Sequence, residues 1–457
     1  MNGLTTVKTK CITKIIRVEH GKRNYLWPTN GRKLDNTFSL ENLDLMKQII
    51  YIVAILLFLT PVSLIYGQIT VSPDGSITSI QEAIDQAISG DTIRVEAGTY
   101  NESDISIKKP ITILGIDRPV IDGEGKGFIM LITADSVTVS GFDIHNTGRS
   151  YIRDYAAIMI ENSKDFIIED NRLDNVFFGI YLAETDRGVV RNNEIESYDL
   201  REASSGNGIH LWSVKNPRIE NNTVKGMRDG IYLEFVDNAR ITGNVSSDNN
   251  RYGLHYMFSN GGIYHDNTFR KNGAGVAVMY SENVDMKNNR FENNWGPSSY
   301  GLLLKDIRNS TIEGNRFYRN TVAIYSESSS NVQIRRNDVE LNGWAVNIKS
   351  SSARNYFTEN NFIENSFDVR TDSPRNNNVF EGNYWSQYEG YDLDRDGIGD
   401  VPYRPVSLFS IIIDRQPESL ILMRSMFIRL LDTAERIAPV LTPKTLIDEN
   451  PKMSRIQ

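Results

Sequence analysis

Residues 229–280 read DGIYLEFVDNARITGNVSSDNNRYGLHYMFSNGGIYHDNTFRKNGAGVAVMY, and the stretch repeats itself. Gly230, Gly253 and Gly275 open short apolar runs (GIYL, GLHY, GVAV) spaced by 23 and 22 residues. Between them Asn267 stands two positions before the aromatic Phe269, with Asn244 a weaker counterpart in TGNVS. Outward in both directions the asparagine returns as Asn171, Asn193, Asn222, Asn289, Asn315, Asn337, Asn360 and Asn383. Successive markers differ by 22, 29, 22, 23, 22, 26, 22, 23 and 23 residues. A near-constant period of this size means stacked supersecondary units. Leucine-rich repeats share the period, but their regular leucine frame is missing. A parallel β-helix, an all-β solenoid, fits: each coil of about 22 residues supplies short strands and one turn asparagine. Asparagine tolerates the left-handed conformation of a sharp corner, and stacked amides can bond along the axis.

The glycine series continues at Gly179, Gly208 and Gly301, with Ala157, Ala323 and Ala345 in its place elsewhere. Alternate residues of a strand face opposite sides. Positions one and three after the glycine are mostly Ile, Leu and Val and should fill the interior; positions two and four should point outward. The longer spacings insert YDLREASSGN and WGPSS at one phase of the coil. Two loops, around residues 198–207 and 295–299, should therefore rise beside one sheet, and repeat proteins keep function on such a face.

The outward column two after the glycine includes Tyr181, His210, Tyr232, His255 and Ala277; the column four after it holds Trp212, Glu234, Met257, Met279 and Lys305. With coils about 4.8 Å apart, His255, Met257 and Met279 form a local triangle near Tyr232, Glu234 and Met227, and His210 lies roughly 10 Å from His255. Imidazole with two thioethers is a donor set that favours Cu(I), which makes these three and His210 candidate copper ligands. The plainer reading is a docking strip rich in methionine and aromatic side chains, with Trp212, Tyr232, Glu234, Tyr256 and Trp295 as its contacts. Both readings stay open at this point. His145 and His265 fall at turn phases and read as hydrogen-bonding groups.

The chain has 457 residues and a net charge of −8, so nothing argues for a nucleic-acid partner. Met46-Lys47-Gln48 precedes an apolar run from Ile49 to Tyr66 that ends at Gly67. This pattern describes a secretory signal over 46–67, with an uncleaved anchor as the alternative. Residues 1–45 are basic without an apolar period and read as a mis-assigned extension before a true start at Met46. Cys11, the only cysteine, lies there. A mature chain without thiols must build any metal site from His, Met, carboxylate, Tyr or backbone.

Residues 68–130 read as an N-terminal cap and first coils, with a capping helix from Ile80 to Ile88 on the spacing of Ile80, Ala83, Ile84 and Ala87. Residues 131–390 carry the repeats. In 391–405, Asp392, Asp394, Asp396, Gly397 and Asp400 match most of a calcium loop, but Tyr403 stands where the bidentate glutamate belongs; calcium and a self-bonded Asx turn are both open. Residues 406–457 hold the apolar run LFSIII and a helix over Pro417–Pro439, with Leu420, Met423, Phe427, Leu430, Leu431 and Ile437 near one face. That helix is too charged to span a bilayer. It either folds back on the solenoid or meets a membrane partner. No phosphate-binding glycine loop is present, so any ATP hydrolysis belongs to another polypeptide.

The blocks GNGIHLW, DGIYLEF, NNRYGLHYMFS, GAGVAVMYS, NNWGPSSYGLLLKDI and EGNRFYRNTVAIY closely resemble the NosD family of periplasmic maturation factors for nitrous oxide reductase. The resemblance runs from SIQEAI to the C-terminal helix, and NRYGLHYMFS and NWGPSSYGLL are not repeat consensus. It implies a right-handed parallel β-helix of the carbohydrate-binding and sugar-hydrolase type. It also implies work with an ABC transporter (a NosF-like ATPase and a NosY-like permease) and a copper-carrying lipoprotein, together supplying the copper–sulfur cluster of nitrous oxide reductase. The soluble face would receive metal or its carrier, and the terminal helix would engage the permease. The resemblance supplies no copper-ligand signature. The opposing class is a secreted β-helix protein that binds acidic polysaccharide, or a lyase or epimerase of uronates. Such enzymes need clustered carboxylates with a basic partner, whereas the outward columns hold Glu234 among aromatics and methionines, with Lys305 beyond.

Overall fold

The computed structural model describes residues 48–49, 67–150, 152–197, 205–373, 375–423, 425–437 and 444–457. The expected extension at 1–45, nearly all of the expected signal at 46–67 and loop residues 198–204 lie outside them. No described helix is long and apolar enough to cross a membrane.

From Gln68 the chain winds as a right-handed parallel β-helix of about 13 turns. Its strands form three parallel sheets of 14, 12 and 13 strands. The register is the one the glycine series sets. Tyr181 pairs with His210, His210 with Tyr232, Tyr232 with His255 and His255 with Ala277. Positions one and three after the glycine are interior: Ile231, Leu233, Leu254, Tyr256, Val276 and Val278 are fully buried. Rings also stack inside along the axis, as in Phe291–Phe317 at 4.5 Å.

The corners differ from expectation in one respect. The left-handed residue precedes each marker asparagine: Asp170, Asn192, Asn221, Asp266 and Asn288 have φ between 55° and 58°. The marker itself turns inward, because a corner leaves backbone groups without strand partners and a buried amide can satisfy them. Asn289 Nδ2 donates to Tyr264 O (2.9 Å) and to Asn315 Oδ1 (3.0 Å), while Asn289 Oδ1 receives the backbone N–H and the Nδ2 of Asn267. The same bonds run from Asn171 to Asn383. A second ladder, Asn249–Asn272–Asn294–Asn320–Asn342–Asn365, occupies another corner and was not anticipated.

Both ends of the stack are covered. At the start lies the helix Ile80–Gln86, with Ile80, Ala83 and Ile84 buried. Its first N–H groups are held by Ser79 and by the Glu102 carboxylate, which accepts from Ile80 N at 2.7 Å and Gln81 N at 3.1 Å. At the other end the tail returns after the helices. The Asp448 carboxylate accepts from Gly382 N, Asn383 N, Asn383 Nδ2 and Trp385 Nε1 at 2.9–3.0 Å, taking the place of the next rung.

The run LFSIII forms the helix Leu408–Arg415, followed by a 3-10 segment Pro417–Leu422 and the helix Met426–Ile437. Phe409, Ile413 and Ile428 pack with Val322, Trp344 and Phe367 on the 12-stranded sheet. Ile428 and Leu431 thus face the solenoid, while Leu420, Met423, Phe427, Leu430 and Ile437, expected as one apolar face, are exposed.

Candidate functional site

The 12-stranded sheet carries His210 on strand Ile209–Trp212, Tyr232 on Asp229–Glu234 and His255 on Tyr252–Met257. One column places their rings in sequence along the axis. His210 is stacked between Tyr181, at 4.2 Å between centroids, and Tyr232, at 4.7 Å. Its Nδ1 lies 2.9 Å from Asn207 Nδ2. Burial, with Arg228 and His255 adding to it, pushes the His210 imidazole down to about 3, so it is neutral. Tyr181 is raised to about 12, by burial first and then by Asp154 and Glu234.

His255 is the outlier of the column. It is 3 % exposed, and among the described residues neither ring nitrogen has a hydrogen-bond partner. Tyr232 meets it edge-on at 4.9 Å, and Tyr252 lies tilted against it at 4.8 Å. Its Nδ1 lies 3.5 Å from Oδ2 of Asp229, which is 1 % exposed. Asp229 was missed from the sequence because it stands one position before a series glycine, where no other coil carries a carboxylate to announce a pattern. Its Oδ1 accepts from Tyr252 N (3.2 Å) and its own N–H donates to Asn207 Oδ1 (3.3 Å). A buried imidazole with open nitrogens beside a buried carboxylate is a costly arrangement that calls for a partner.

Met257 and Met279 are register neighbours in the adjacent outward column, each half-buried. Glu234 precedes Met257 in that column and accepts the Tyr232 hydroxyl at 3.1 Å. Trp212 is 38 % exposed on the same column and Trp295, in the inserted loop, is 64 % exposed. That loop is tied down by Thr321 Oγ1, which bonds both Gly296 N and Gly296 O. Three expectations need correction. Tyr256 is fully buried at an inward position, so it cannot serve as a docking contact, and Met227 also lies in the core. His145 and His265 lie on strands Asp143–Thr147 and Ile263–His265 of the other sheets rather than at turns.

Beside the methionines runs a feature the sequence reading passed over. Phe235, Phe258 and Tyr280 occupy left-handed corners with φ of 55°, 48° and 53°. Their rings stack at 5.4 and 5.0 Å. Bulky residues in this region are strained, and such strain persists where packing or function holds it. The signal was legible: an aromatic residue follows directly in GIYLEF, GLHYMF and GVAVMY.

In the acidic loop, Asp392, Asp394 and Asp396 bring one oxygen each within 4.8 Å of one another. Those carboxylates already accept backbone N–H groups, Asp392 from Gly397 at 2.9 Å and Asp396 from Ile398 at 2.7 Å, while Asp400 is turned to Leu393 N at 2.7 Å. The loop is thus self-bonded in the Asx manner, and no observation adds calcium to it.

The sequence model of the family described as "Periplasmic copper-binding protein (NosD)" matches residues 84–200 and 196–390. A curated relative from Stutzerimonas stutzeri, "Probable ABC transporter binding protein NosD", is 30 % identical over 381 residues, covering 79 % of this chain and 86 % of its own. A relative of the same name from Pseudomonas aeruginosa is 31 % identical over 370 residues, covering 74 % and 85 %. Among solved structures, the Dettilon tailspike protein superposes with a TM-score of 0.51 at 16 % identity, over 67 % of this chain and 69 % of that one. Lacto-N-biosidase from Eubacterium ramulus gives 0.50 at 12 % identity, over 76 % and 72 %; both likenesses concern the fold alone. With the family match spanning most of the solenoid and the relatives aligned along nearly their whole length, the chain belongs to the NosD family of periplasmic copper-binding proteins.

Proposed function

We propose that this protein takes up copper on the outer face of the 12-stranded sheet and passes it on in the maturation of the copper–sulfur centre of nitrous oxide reductase. Copper is cargo in this reading, and the chain performs no chemistry of its own. The observation that carries it is His255: a buried imidazole whose two nitrogens have no hydrogen-bond partner among the described residues, on the face whose adjacent column carries Met257 and Met279. Imidazole nitrogen and thioether sulfur suit Cu(I). Trp212, Trp295 and the Phe235–Phe258–Tyr280 ridge surround the methionines with apolar surface on which a copper-carrying lipoprotein can dock. The relatives' name, ABC transporter binding protein, supports a transporter partner with its own ATPase and permease subunits. The exposed Ile421, Met426, Phe427 and Leu430 of the helical extension supply an apolar surface for that permease.

The test is an anaerobic Cu(I) titration of the purified full chain beside His255→Ala and the double variant Met257→Ala/Met279→Ala. One tight equivalent in the wild type, lost in both variants with the melting temperature unchanged, supports uptake at this face. Absence of binding in the wild type, or binding that survives both variants, overturns it and leaves the face as a docking surface only.

A further inference from the structure

We infer that Asp229 decides which imidazole on this face donates to a metal, and that the donor is His255 Nε2 and not His210. The identity of the metal rests on the copper reading above; the assignment of protons does not.

Asp229 stands between the two histidines and fixes a different proton on each. Its backbone N–H donates to Asn207 Oδ1 at 3.3 Å. That bond orients the Asn207 amide, so its Nδ2 is the group facing His210 Nδ1 at 2.9 Å. An amide N–H directed at Nδ1 requires the lone pair there and leaves the His210 proton on Nε2. His210 is therefore spent: one nitrogen accepts from Asn207, the other carries hydrogen, and the ring is clamped between Tyr181 and Tyr232. On its other side, Asp229 sets a carboxylate oxygen 3.5 Å from His255 Nδ1. A carboxylate oxygen accepts only, so it favours hydrogen on Nδ1 and an open lone pair on Nε2. The 3.5 Å approach is longer than a formed hydrogen bond, but the buried carboxylate is the acceptor that Nδ1 faces, and a carboxylate behind one ring nitrogen is how a metal-binding histidine is commonly oriented with the other nitrogen toward the metal. Asp229 is itself held by the Tyr252 N–H at 3.2 Å and is 1 % exposed, so it is not free to turn away. The sequence placed His210 and His255 together as ligands; this wiring separates them. Asp229 is a positioning residue here, acting through His255.

The experiment has two independent readouts. Nitrogen-15 spectra of the metal-free, histidine-labelled full chain at neutral pH should show His255 with its proton on Nδ1 and His210 with its proton on Nε2. In Asp229→Asn, the new amide presents an N–H to Nδ1 and should move the His255 proton to Nε2. Cu(I) affinity should fall about 10–100-fold in Asp229→Asn and stay within about twofold in His210→Asn. A wild-type His255 protonated on Nε2 overturns the inference, as does wild-type affinity in Asp229→Asn or a loss confined to His210→Asn. If the wild type binds no Cu(I) at all, the functional reading falls and the donor assignment with it, whereas the spectra alone still decide the protons.

Discussion

A single asparagine in the ladder does more than turn a corner. Asn289 Oδ1 receives two N–H groups from Asn267, and its own Nδ2 serves both a strand carbonyl and Asn315. Alanine there would leave several buried polar groups unpaired, each costing about 1–3 kcal/mol. Asn289→Ala should therefore lose roughly 3 kcal/mol or more in urea unfolding, whereas loss of an exposed corner residue such as Asn288 should cost well under half of that. A second residue sets a pH dependence. Asp368 is buried, and burial raises its carboxyl to about 7, while the Tyr403 hydroxyl bonded at 2.6 Å draws it down. Its folded value is above the ordinary 3.8, so its contribution is complete below about pH 4 and is lost as pH rises through 7. Asp368→Asn should gain melting temperature over wild type between pH 6 and pH 8 and show little difference at pH 4; a constant offset would refute the assignment.

Among elements, the helical extension has two faces with opposite consequences. Ile428 is 5 % exposed and packs with Trp344 and Phe367, while Phe427 beside it is 56 % exposed and Leu430 is 59 % exposed. Ile428→Ala should destabilise that contact by about 2–4 kcal/mol and open the connection near residues 416–425 to limited proteolysis. Phe427→Asp with Leu430→Asp should leave melting unchanged and reduce co-purification with the transporter subunits. Unchanged co-purification would remove this surface from the transporter contact. The sequence grouped Phe427 with Leu431 because a helical period shows which residues share a face; it does not show which face meets the solenoid.

For the whole molecule, the period and the glycine register were enough to place the strands of the 12-stranded sheet from Ala156–Glu161 to Trp344–Ile348, because a strand that slips by one residue turns its apolar set outward. The outward columns follow from that, while the strands of His145 and His265 in the other two sheets read as turns. What stayed hidden depended on contacts between coils. Tyr256 reads as a docking contact by its aromatic character, although its phase is inward and it is fully buried. Asp229 matters only through its two histidine neighbours, and the second asparagine ladder, five positions after the first, does repeat in the sequence but is shown to be a ladder only by its bonds between coils. Asp448 lies 65 residues from the asparagine it completes, beyond the reach of any local pattern.

The ladder also has a direction. From Asn171 to Asn360 each amide nitrogen points to the next coil, and Asn383 ends the row by pointing at Asp448. The dipoles add along the axis as peptide dipoles do in a helix, so the C-terminal end is the donor end and an acid suits it. Without that acid, the last coil would leave the N–H groups of Gly382, Asn383 and Trp385 unfilled and its strand edges open, and open strand edges invite pairing with another chain. Asp448→Ala should therefore shift the protein toward concentration-dependent assembly in light scattering, beyond any loss of stability. Asp448, seen this way, is a terminator: it keeps a stack that could grow at one finite length.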